Sequence, residues 1–339
     1  MKTSRKRFRP AAGFTLLELL VALAITLVMA GLALAVTLGA LDFWRQQQAA
    51  QVQAVAARQI FHLLERDLQA AMGRGDSPCS FAVDILDTTP ALANHGWLTS
   101  ARAKPAGGGS RLPLPTSAVG EVARIARARF GLSGVWLRFV TTNVESGGSL
   151  PTVVAYQMVR RPVIGDPTAL NPAPVRYSLY RSAVSNADTV ANGYDVTAPA
   201  YGSSNNTPSS ALSTAYRHPR NVTNPSHANL LASNVVDWGC WLYVRDGAGE
   251  LVRIYPAAVD DLSHHAAGRS VENESRFPEV IDVMVRVLSD EGAGIVAAME
   301  SGQLSRPPGY ATDAEWWWSE VEANSKVFVR RVEIKALAP

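Results

Sequence analysis

The fold is decided by one long apolar run, GFTLLELLVALAITLVMAGLALAVTLGAL, at residues 13–41. From Phe14 to Leu41 it holds 28 residues and a single charged side chain, that of Glu18. About 20 apolar residues in a helix cross a bilayer, so this segment is long enough to span one. The five basic residues before it predict a cytoplasmic N-terminus, because positive charges favour that side of a membrane helix. We therefore expect a single-pass inner-membrane protein whose bulk lies across the membrane.

An ordinary secretory signal is the first alternative for this run. Its apolar region is usually about 7–15 residues long, which is roughly half of the length found here. The tripeptide Ala33-Leu34-Ala35 nevertheless resembles a signal-peptidase site. Cleavage at that site would give a mature chain that begins at Val36, and the apolar run would then be lost.

Glu18 is the one charged residue of the apolar run, and a charge in a membrane helix needs an explanation. A carboxylate near the centre of a membrane helix costs about 2.5–3.5 kcal/mol on insertion scales. Glu18 either lies close enough to the cytoplasmic interface to reach water, or it pairs with a positive group on another subunit. The sequence alone leaves both explanations open.

The stretch from Gly13 to Ala22 resembles the prepilin signature of type IV pilins and type II secretion pseudopilins. That signature is a short basic leader, a Gly, a Phe, and a Glu at the fifth position after the cut. The resemblance implies cleavage by prepilin peptidase between Gly13 and Phe14, and N-methylation of the Phe14 amine. It also implies that Glu18 pairs with the N-terminal amine of a neighbouring pilin, an ammonium that would supply its counter-charge in a low dielectric.

The predicted helix continues beyond the membrane. No Pro or Gly occurs from Asp42 to Met72, and Gly73 and Gly75 are expected to end the helix before Pro78. Apolar residues recur every four positions and predict a face that packs on a sheet. They are Val52, Ala56, Ile60, Leu64, Leu68 and Met72. The predicted divisions are the leader 1–13, the transmembrane half 14–41, the amphipathic half 42–75 and the head 76–339.

The head consists of short β-rich runs separated by Gly, Pro, Ser and Asn. Because the long helix comes first and no alternation of strands and helices follows it, the pattern predicts an α+β fold with a mostly antiparallel sheet. The predicted strands are Phe81–Leu86, Val135–Thr142, Thr152–Arg160, Val175–Ser182, Trp238–Val244, Leu251–Tyr255, Val280–Leu288 and Lys326–Lys335, with a short apolar segment at Leu230–Val236. Loop insertions are expected near 101–120 and 186–225, and Glu121–Ala128 is a candidate helical turn.

The head resembles large minor pilins of the PilW type and J-type pseudopilins. The segments that carry this resemblance include Val154-Ala155-Tyr156, Tyr177-Ser178-Leu179-Tyr180-Arg181 and the closing strand Phe328–Ile334. A head this large would crowd if it were repeated along a thin fibre. The resemblance and the size together favour a low-copy subunit at a filament tip or in the initiating complex.

The charge distribution argues against a nucleic-acid partner. The net charge of +3 comes from the leader, since removing its five basic residues from the total of 32 leaves 27 against 29 acidic residues. An adhesin or a DNA-uptake pilin is a further alternative. A basic stripe on the folded head would favour DNA, whereas an exposed aromatic patch would favour a protein or carbohydrate ligand. The close basic cluster of the head is Arg124, Arg127 and Arg129, which a solvated helix face also explains.

No motif in the sequence indicates an enzyme. GxSxG, GxxxxGK[ST] and HExxH are all absent, and we expect no catalytic residues, no cofactor and no metal ligands. The rival reading is a membrane-tethered or secreted enzyme or ligand-binding protein that uses the helix only as an anchor or signal.

Two groups of residues are candidates for metal binding. His264-His265 lies close to Asp260-Asp261, but neighbouring residues of an extended chain point to opposite faces. The resemblance to pseudopilins, some of which bind calcium in a distal loop, makes Asp188 and Asp195 possible calcium ligands, although they lack the alternation of oxygen ligands seen in calcium loops.

Two further features leave alternatives open. Cys79 and Cys240 could form one disulfide of the exported head, which would add roughly 5 kcal/mol to its stability if unstrained, or they could be two separate thiols.

The three consecutive tryptophans at Trp316-Trp317-Trp318 cannot all face one core if the segment is extended, so at least one indole is expected at the surface or under a loop. That indole would serve a subunit contact or, as we favour, local packing.

Overall fold

The computed structural model describes residues 15–85, 104–105, 129, 135–142, 150–163, 174–198, 227–257, 263–266 and 276–335. The chain divides into two compact units, Met1–Gln51 and Val52–Pro339. The first helix, α1, runs from Leu16 to Gln69 and contributes residues to both units. The division between the units therefore falls inside the helix.

Ten strands and three further helices follow α1 in the described residues. The strands are β1 (Phe81–Ile85), β2 (Val135–Thr141), β3 (Thr152–Pro162), β4 (Val175–Ala183), β5 (Leu230–Ser233), β6 (Val235–Arg245), β7 (Leu251–Tyr255), β8 (Ser263–Ala266), β9 (Val280–Leu288) and β10 (Ser325–Glu333). The helices are α2 (Asn186–Ala191), α3 (Asp290–Glu300) and α4 (Asp313–Ala323). A single 3-10 turn, His227–Asn229, precedes β5.

The strands form two antiparallel sheets. One has six strands in the order β5-β4-β3-β2-β1-β8, and the other has four in the order β10-β9-β6-β7. Every pairing between neighbours is antiparallel. The predicted α+β class, with a long apolar N-terminal helix and mostly antiparallel strands, is confirmed.

The C-terminal part of α1 supplies one side of the main core. Ile60, Leu64 and Leu68 are fully buried and share one cluster with Tyr156 of the six-stranded sheet and Val285 of the four-stranded sheet. Their spacing of four residues keeps them on one face of the helix, as the apolar pattern predicts. Burying a side chain of this size stabilises by about 1.5–3 kcal/mol, so this face holds the helix on the sheets. Val52, predicted on the same stripe, is instead 54% exposed.

The end of α1 differs from the prediction. The helix stops at Gln69, before Gly73, because the following residues join β2: Ala71 forms a bridge with Thr141. Two carbonyl groups at this end accept from the end of β2 and the residue after it: the Thr141 hydroxyl donates to the Asp67 carbonyl at 2.8 Å, and the Thr142 amide donates to the Ala70 carbonyl at 3.1 Å. The predicted glycine cap is therefore wrong, and the sheet caps the helix instead.

Several head elements also differ from the prediction. Helices α3 and α4 and strand β8 were not predicted, and the predicted insertion at 186–225 begins with α2, whose N-cap Ser185 accepts from the Asp188 amide. The predicted turn at Glu121–Ala128, and the insertion at 101–120 apart from Lys104 and Pro105, lie outside the described residues.

Candidate processing and assembly site

The start of α1 holds the described part of the predicted processing and assembly site. Gly13 and Phe14, on either side of the predicted cut, lie outside the described residues. Thr15 and Glu18 form reciprocal hydrogen bonds at the start of α1. The Glu18 amide donates to the Thr15 hydroxyl oxygen at 3.2 Å, and the Thr15 amide donates to Glu18 Oε2 at 2.9 Å. This is a capping box, the arrangement in which a Thr and a Glu three residues later satisfy each other's amides.

One oxygen of the Glu18 carboxylate carries all of these contacts. Oε2 also accepts from the Thr15 hydroxyl at 3.0 Å, whereas Oε1 has no hydrogen bond within the described part of the chain. A carboxylate has acceptor sites on both oxygens, and an acidic group at a helix N-terminus is favoured by the helix dipole. Glu18 is therefore held in place locally while Oε1 stays available to a further donor.

The first half of α1 is apolar and exposed along its whole length. Every described side chain from Thr15 to Gln48 is exposed. The two Thr hydroxyls within the run donate to carbonyls four residues earlier, Thr26 to Ala22 and Thr37 to Ala33, both at 2.8 Å. Polar groups satisfied inside the helix are what a bilayer requires. By length and composition this helix is able to cross a membrane.

Asp67 attaches the second half of α1 to the six-stranded sheet. Its carboxylate is fully buried and accepts from Arg181 Nε at 2.6 Å and from the Tyr156 hydroxyl at 2.7 Å. Burial, followed by the neighbouring Asp67 carboxylate, holds the pKa of Tyr156 well above its usual range. Tyr156 consequently remains a neutral donor, and the charge of Asp67 is balanced by Arg181.

Glu300 organises a second buried network at the end of α3. It accepts from Arg160 Nε at 2.7 Å, from Trp317 Nε1 at 3.0 Å and from the Tyr177 hydroxyl. Arg160 and Tyr177 lie on neighbouring strands, β3 and β4, and Trp317 lies on α4. Glu300 thus links both C-terminal helices to the six-stranded sheet, in a region that carried no site prediction.

The three tryptophans are all buried and lie on a helix, so the extended segment on which the prediction of one surface or loop-covered indole depended is not found, and the favoured alternative of local packing holds. The segment is helical, and consecutive residues of a helix point about 100° apart, which sends the three indoles to different partners. Trp316 Nε1 donates to Glu320, and the Trp317 and Trp318 rings meet edge to face at 4.9 Å. These indoles belong to the head core.

The Trp318 ring also faces two cations. Lys104 Nζ lies 5.7 Å from its centre and is ion-paired with Asp237, both side chains being fully buried. Arg129 lies 5.2 Å from the same ring and pairs with Glu322 at 2.6 Å. Arg129 therefore has a structural role in the head. Arg124 and Arg127, the other members of the predicted basic cluster, lie outside the described residues.

The described candidate metal ligands are engaged with protein groups, whereas Asp260 and Asp261 lie outside the described residues. His264 is buried and contacts the Arg276 carbonyl, whereas His265 lies 2.8 Å from Asp84. Asp188 accepts from Ser185, and Asp195 accepts from Thr197 at 2.7 Å. Among the residues that the structure describes, no group of three or more His, Cys, Asp or Glu could hold a metal ion. Calcium binding at Asp188 and Asp195 stays a prediction.

The two cysteines are separate, buried thiols in the structure. Cys240 belongs to the main core on β6, whereas Cys79 belongs to a smaller cluster with Val140 and Val153. Burial raises the pKa of Cys79 to about 11 and that of Cys240 to about 12. Both thiols are therefore protonated near neutral pH. Of the two alternatives that the sequence left open, the structure has two separate thiols and no disulfide between Cys79 and Cys240.

A cleft lies between α3 and α4 of the head. Its volume is about 120 Å³, and its lining includes Met299, Leu304 and Trp316 together with the ion pair of Arg306 and Asp313 at 2.9 Å. Ligand sites usually enclose about 300–1,000 Å³. This cleft therefore gives little support to the rival ligand-binding function.

A comparison with known families finds a match at the N-terminus. A family model described as the prokaryotic N-terminal methylation motif matches residues 8–34. That range includes the predicted cut at Gly13–Phe14, Thr15 and Glu18. The match supports a type IV pilin-like protein that is processed by prepilin peptidase, and it implies assembly with other pilins. The apolar helix fits a membrane-anchored pilin. No curated protein and no solved structure matches the chain.

Proposed function

We propose that this chain is a minor pilin or pseudopilin subunit, stored in the inner membrane and then incorporated through α1 into a type IV pilus or type II secretion pseudopilus. The observation that carries the proposal is the match to the N-terminal methylation motif at residues 8–34. The capped, apolar and exposed start of α1 agrees with it. The N-terminus lies in the cytoplasm and the head in the periplasm.

Glu18 supplies the assembly contact in this proposal. Cleavage after Gly13 leaves a new ammonium at Phe14, and Glu18 Oε1 accepts from the ammonium of a neighbouring subunit. Thr15 keeps the carboxylate oriented through Oε2 at 2.9 Å. In a low-dielectric filament core a charged group needs an opposite charge. The pairing therefore favours the one register along the fibre at which Glu18 meets a neighbour's amine.

The low-copy role rests on the head. Its two sheets are joined by one core, and buried ion pairs such as Asp67 with Arg181 fix α1 to them. Heads of this size on adjacent subunits would clash if they were repeated at the close spacing of a thin fibre. Placement at the tip or in the initiating complex avoids that crowding.

The first experiment is the mass of the mature N-terminal peptide from cell envelopes, with and without prepilin peptidase. We expect a chain that begins at methylated Phe14 and is absent without the peptidase. A chain that begins at Val36 would contradict the proposal and would indicate ordinary secretion.

A second experiment separates assembly from folding. Glu18→Val should abolish incorporation into filaments while the head unfolds at the same denaturant concentration as in the wild type. Glu65→Val, on the same helix but partly buried against the head, is the matched control that should still assemble. Filaments made mainly of this protein would contradict the minor role.

A further inference from the structure

An aromatic pair marks the end of the apolar run. Phe43 and Trp44 are 63% and 71% exposed, and neither side chain has a partner within the described residues. Asp42 and Arg45 flank them as an exposed pair at 3.8 Å, and Gln46, Gln47 and Gln48 follow. An indole combines a large apolar body with one N–H donor, and such rings are enriched where hydrocarbon meets lipid headgroups.

The spacing between Glu18 and Trp44 fits the thickness of a bilayer. The two residues are 26 positions apart on one helix, which corresponds to a rise of about 39 Å. A bilayer with its headgroups is about 40–45 Å thick. When Trp44 lies at the headgroups of one leaflet, Glu18 consequently lies at those of the other.

The apolar run alone does not fix this depth. From Leu16 to Leu41 it measures about 39 Å as a helix, whereas the hydrocarbon layer is about 30 Å thick, so the helix could tilt or slide. Gly31 and Gly39 within it offer no anchoring side chain. The depth must therefore be set by groups at the ends of the run.

We propose that Phe43 and Trp44 form an interfacial anchor that binds the headgroup region of the outer leaflet of the inner membrane. The proposal rests on the proposed function, because it takes α1 to span that membrane before assembly. The anchor holds Glu18 at the cytoplasmic boundary, where its carboxylate meets water during storage. Glu18 loses that water only when the subunit leaves the bilayer for a filament.

The anchor is tested with the full-length protein in phosphatidylethanolamine–phosphatidylglycerol vesicles that carry bromine at defined acyl-chain depths. The measured quantity is the difference in tryptophan fluorescence between the wild type and Trp44→Phe, which isolates Trp44 from the seven other indoles. We expect this difference signal to be quenched most by the shallowest bromine. A signal that no bromolipid quenches, or that the deepest bromine quenches most, would overturn the proposal.

A second measurement reads the depth of the helix itself. Gln46→Cys should react with a water-soluble maleimide added outside the vesicles, since the native thiols are buried. Adding Phe43→Ala and Trp44→Ala should lower that rate as the helix slides inward, whereas Trp44→Phe should not. An unchanged rate in the double variant would count against the anchor.

These readouts are independent of processing and filament formation. A chain found to begin at Val36 would defeat the proposed function, yet the vesicle experiment would still measure Trp44 in the intact precursor. Conversely, correct cleavage before Phe14 together with an unquenched Trp44 would defeat the anchor alone.

Discussion

The two halves of α1 have the same backbone structure but opposite surroundings. Every described side chain from Thr15 to Gln48 is exposed, whereas Ile60, Leu64, Asp67 and Leu68 are buried in the head. In the first half the apolar surface is left for a bilayer or for other subunits. In the second half the same kind of surface is covered by the chain's own sheets. Changes in the first half should therefore affect location and assembly, and changes in the second half should affect stability.

The largest effect is expected at Asp67. Asp67→Ala leaves the Arg181 guanidinium and the Tyr156 hydroxyl without the carboxylate that both of them bind. Removing one partner of a buried ion pair costs about 3–5 kcal/mol. Guanidinium unfolding of the full-length protein in detergent, followed by head tryptophan fluorescence, measures this loss.

Glu65→Ala is the matched control on the same helix. Glu65 pairs with Arg330 at 2.9 Å, but the Arg330 side chain is half exposed. Such surface pairs contribute about 0–1 kcal/mol. Equal losses in the two variants would mean that the full burial of Asp67 does not distinguish it from a partly exposed carboxylate.

A leucine from each half tests the comparison directly. Leu64 is fully buried, so Leu64→Ala should lower the free energy of unfolding by about 2–5 kcal/mol. Leu34 is 60% exposed, and Leu34→Ala should change it by no more than about 0.5 kcal/mol. The same denaturation measurement applies to both. A large loss in Leu34→Ala would show that the first half also supports the head.

The contrast between the halves also decides what the sequence could predict. Leu64 and Leu68 follow from a local period of four, which needs no knowledge of the sheet. Asp67 lies between them without any signal of its own, because its partners Tyr156 and Arg181 are 89 and 114 positions away. The helix and its apolar face were therefore predictable, and the buried ion pair was not.

Two helix starts had local signals that the prediction did not use, one at the site and one in the head. Thr15-Leu16-Leu17-Glu18 is a capping box, and Thr312-Asp313-Ala314-Glu315 similarly begins α4, with the Glu315 amide donating to Thr312 at 3.1 Å. Recognising the second would have placed the three tryptophans on a helix. The pairing of β1 with β8 had no such signal, because Phe81 and its partner Ala266 are far apart in the chain.

A smaller effect is expected at the start of α1. Thr15→Ala removes the hydroxyl that accepts from the Glu18 amide, and loss of such a cap costs about 1 kcal/mol. Amide hydrogen exchange in detergent should be faster in the first turn, while head stability stays unchanged. Thr26→Ala is the control, because its hydroxyl binds only the Ala22 carbonyl within the helix. Equal protection of the first turn in both variants would mean that the cap is dispensable.

The smallest effect concerns pH and belongs to the head alone. Burial, and then the Arg138 charge, lower the pKa of His265 from its ordinary value of 6.5. The Asp84 carboxylate at 2.8 Å would favour the charged ring, but Asp84 is itself ion-paired with Arg138, which offsets its attraction. The folded state therefore binds this proton less readily than the unfolded state does.

The free energy of unfolding should consequently fall as the pH drops from about 6.5 through the lowered pKa of His265. His265→Asn should make this decrease shallower, while the two proteins keep parallel stability curves above about pH 7.5, where the ring is neutral in both states. Denaturant midpoints measured in steps from pH 8 to pH 5 test this. A steeper decrease in the variant would reverse the sign and would mean that Asp84 favours the charged ring in the folded head.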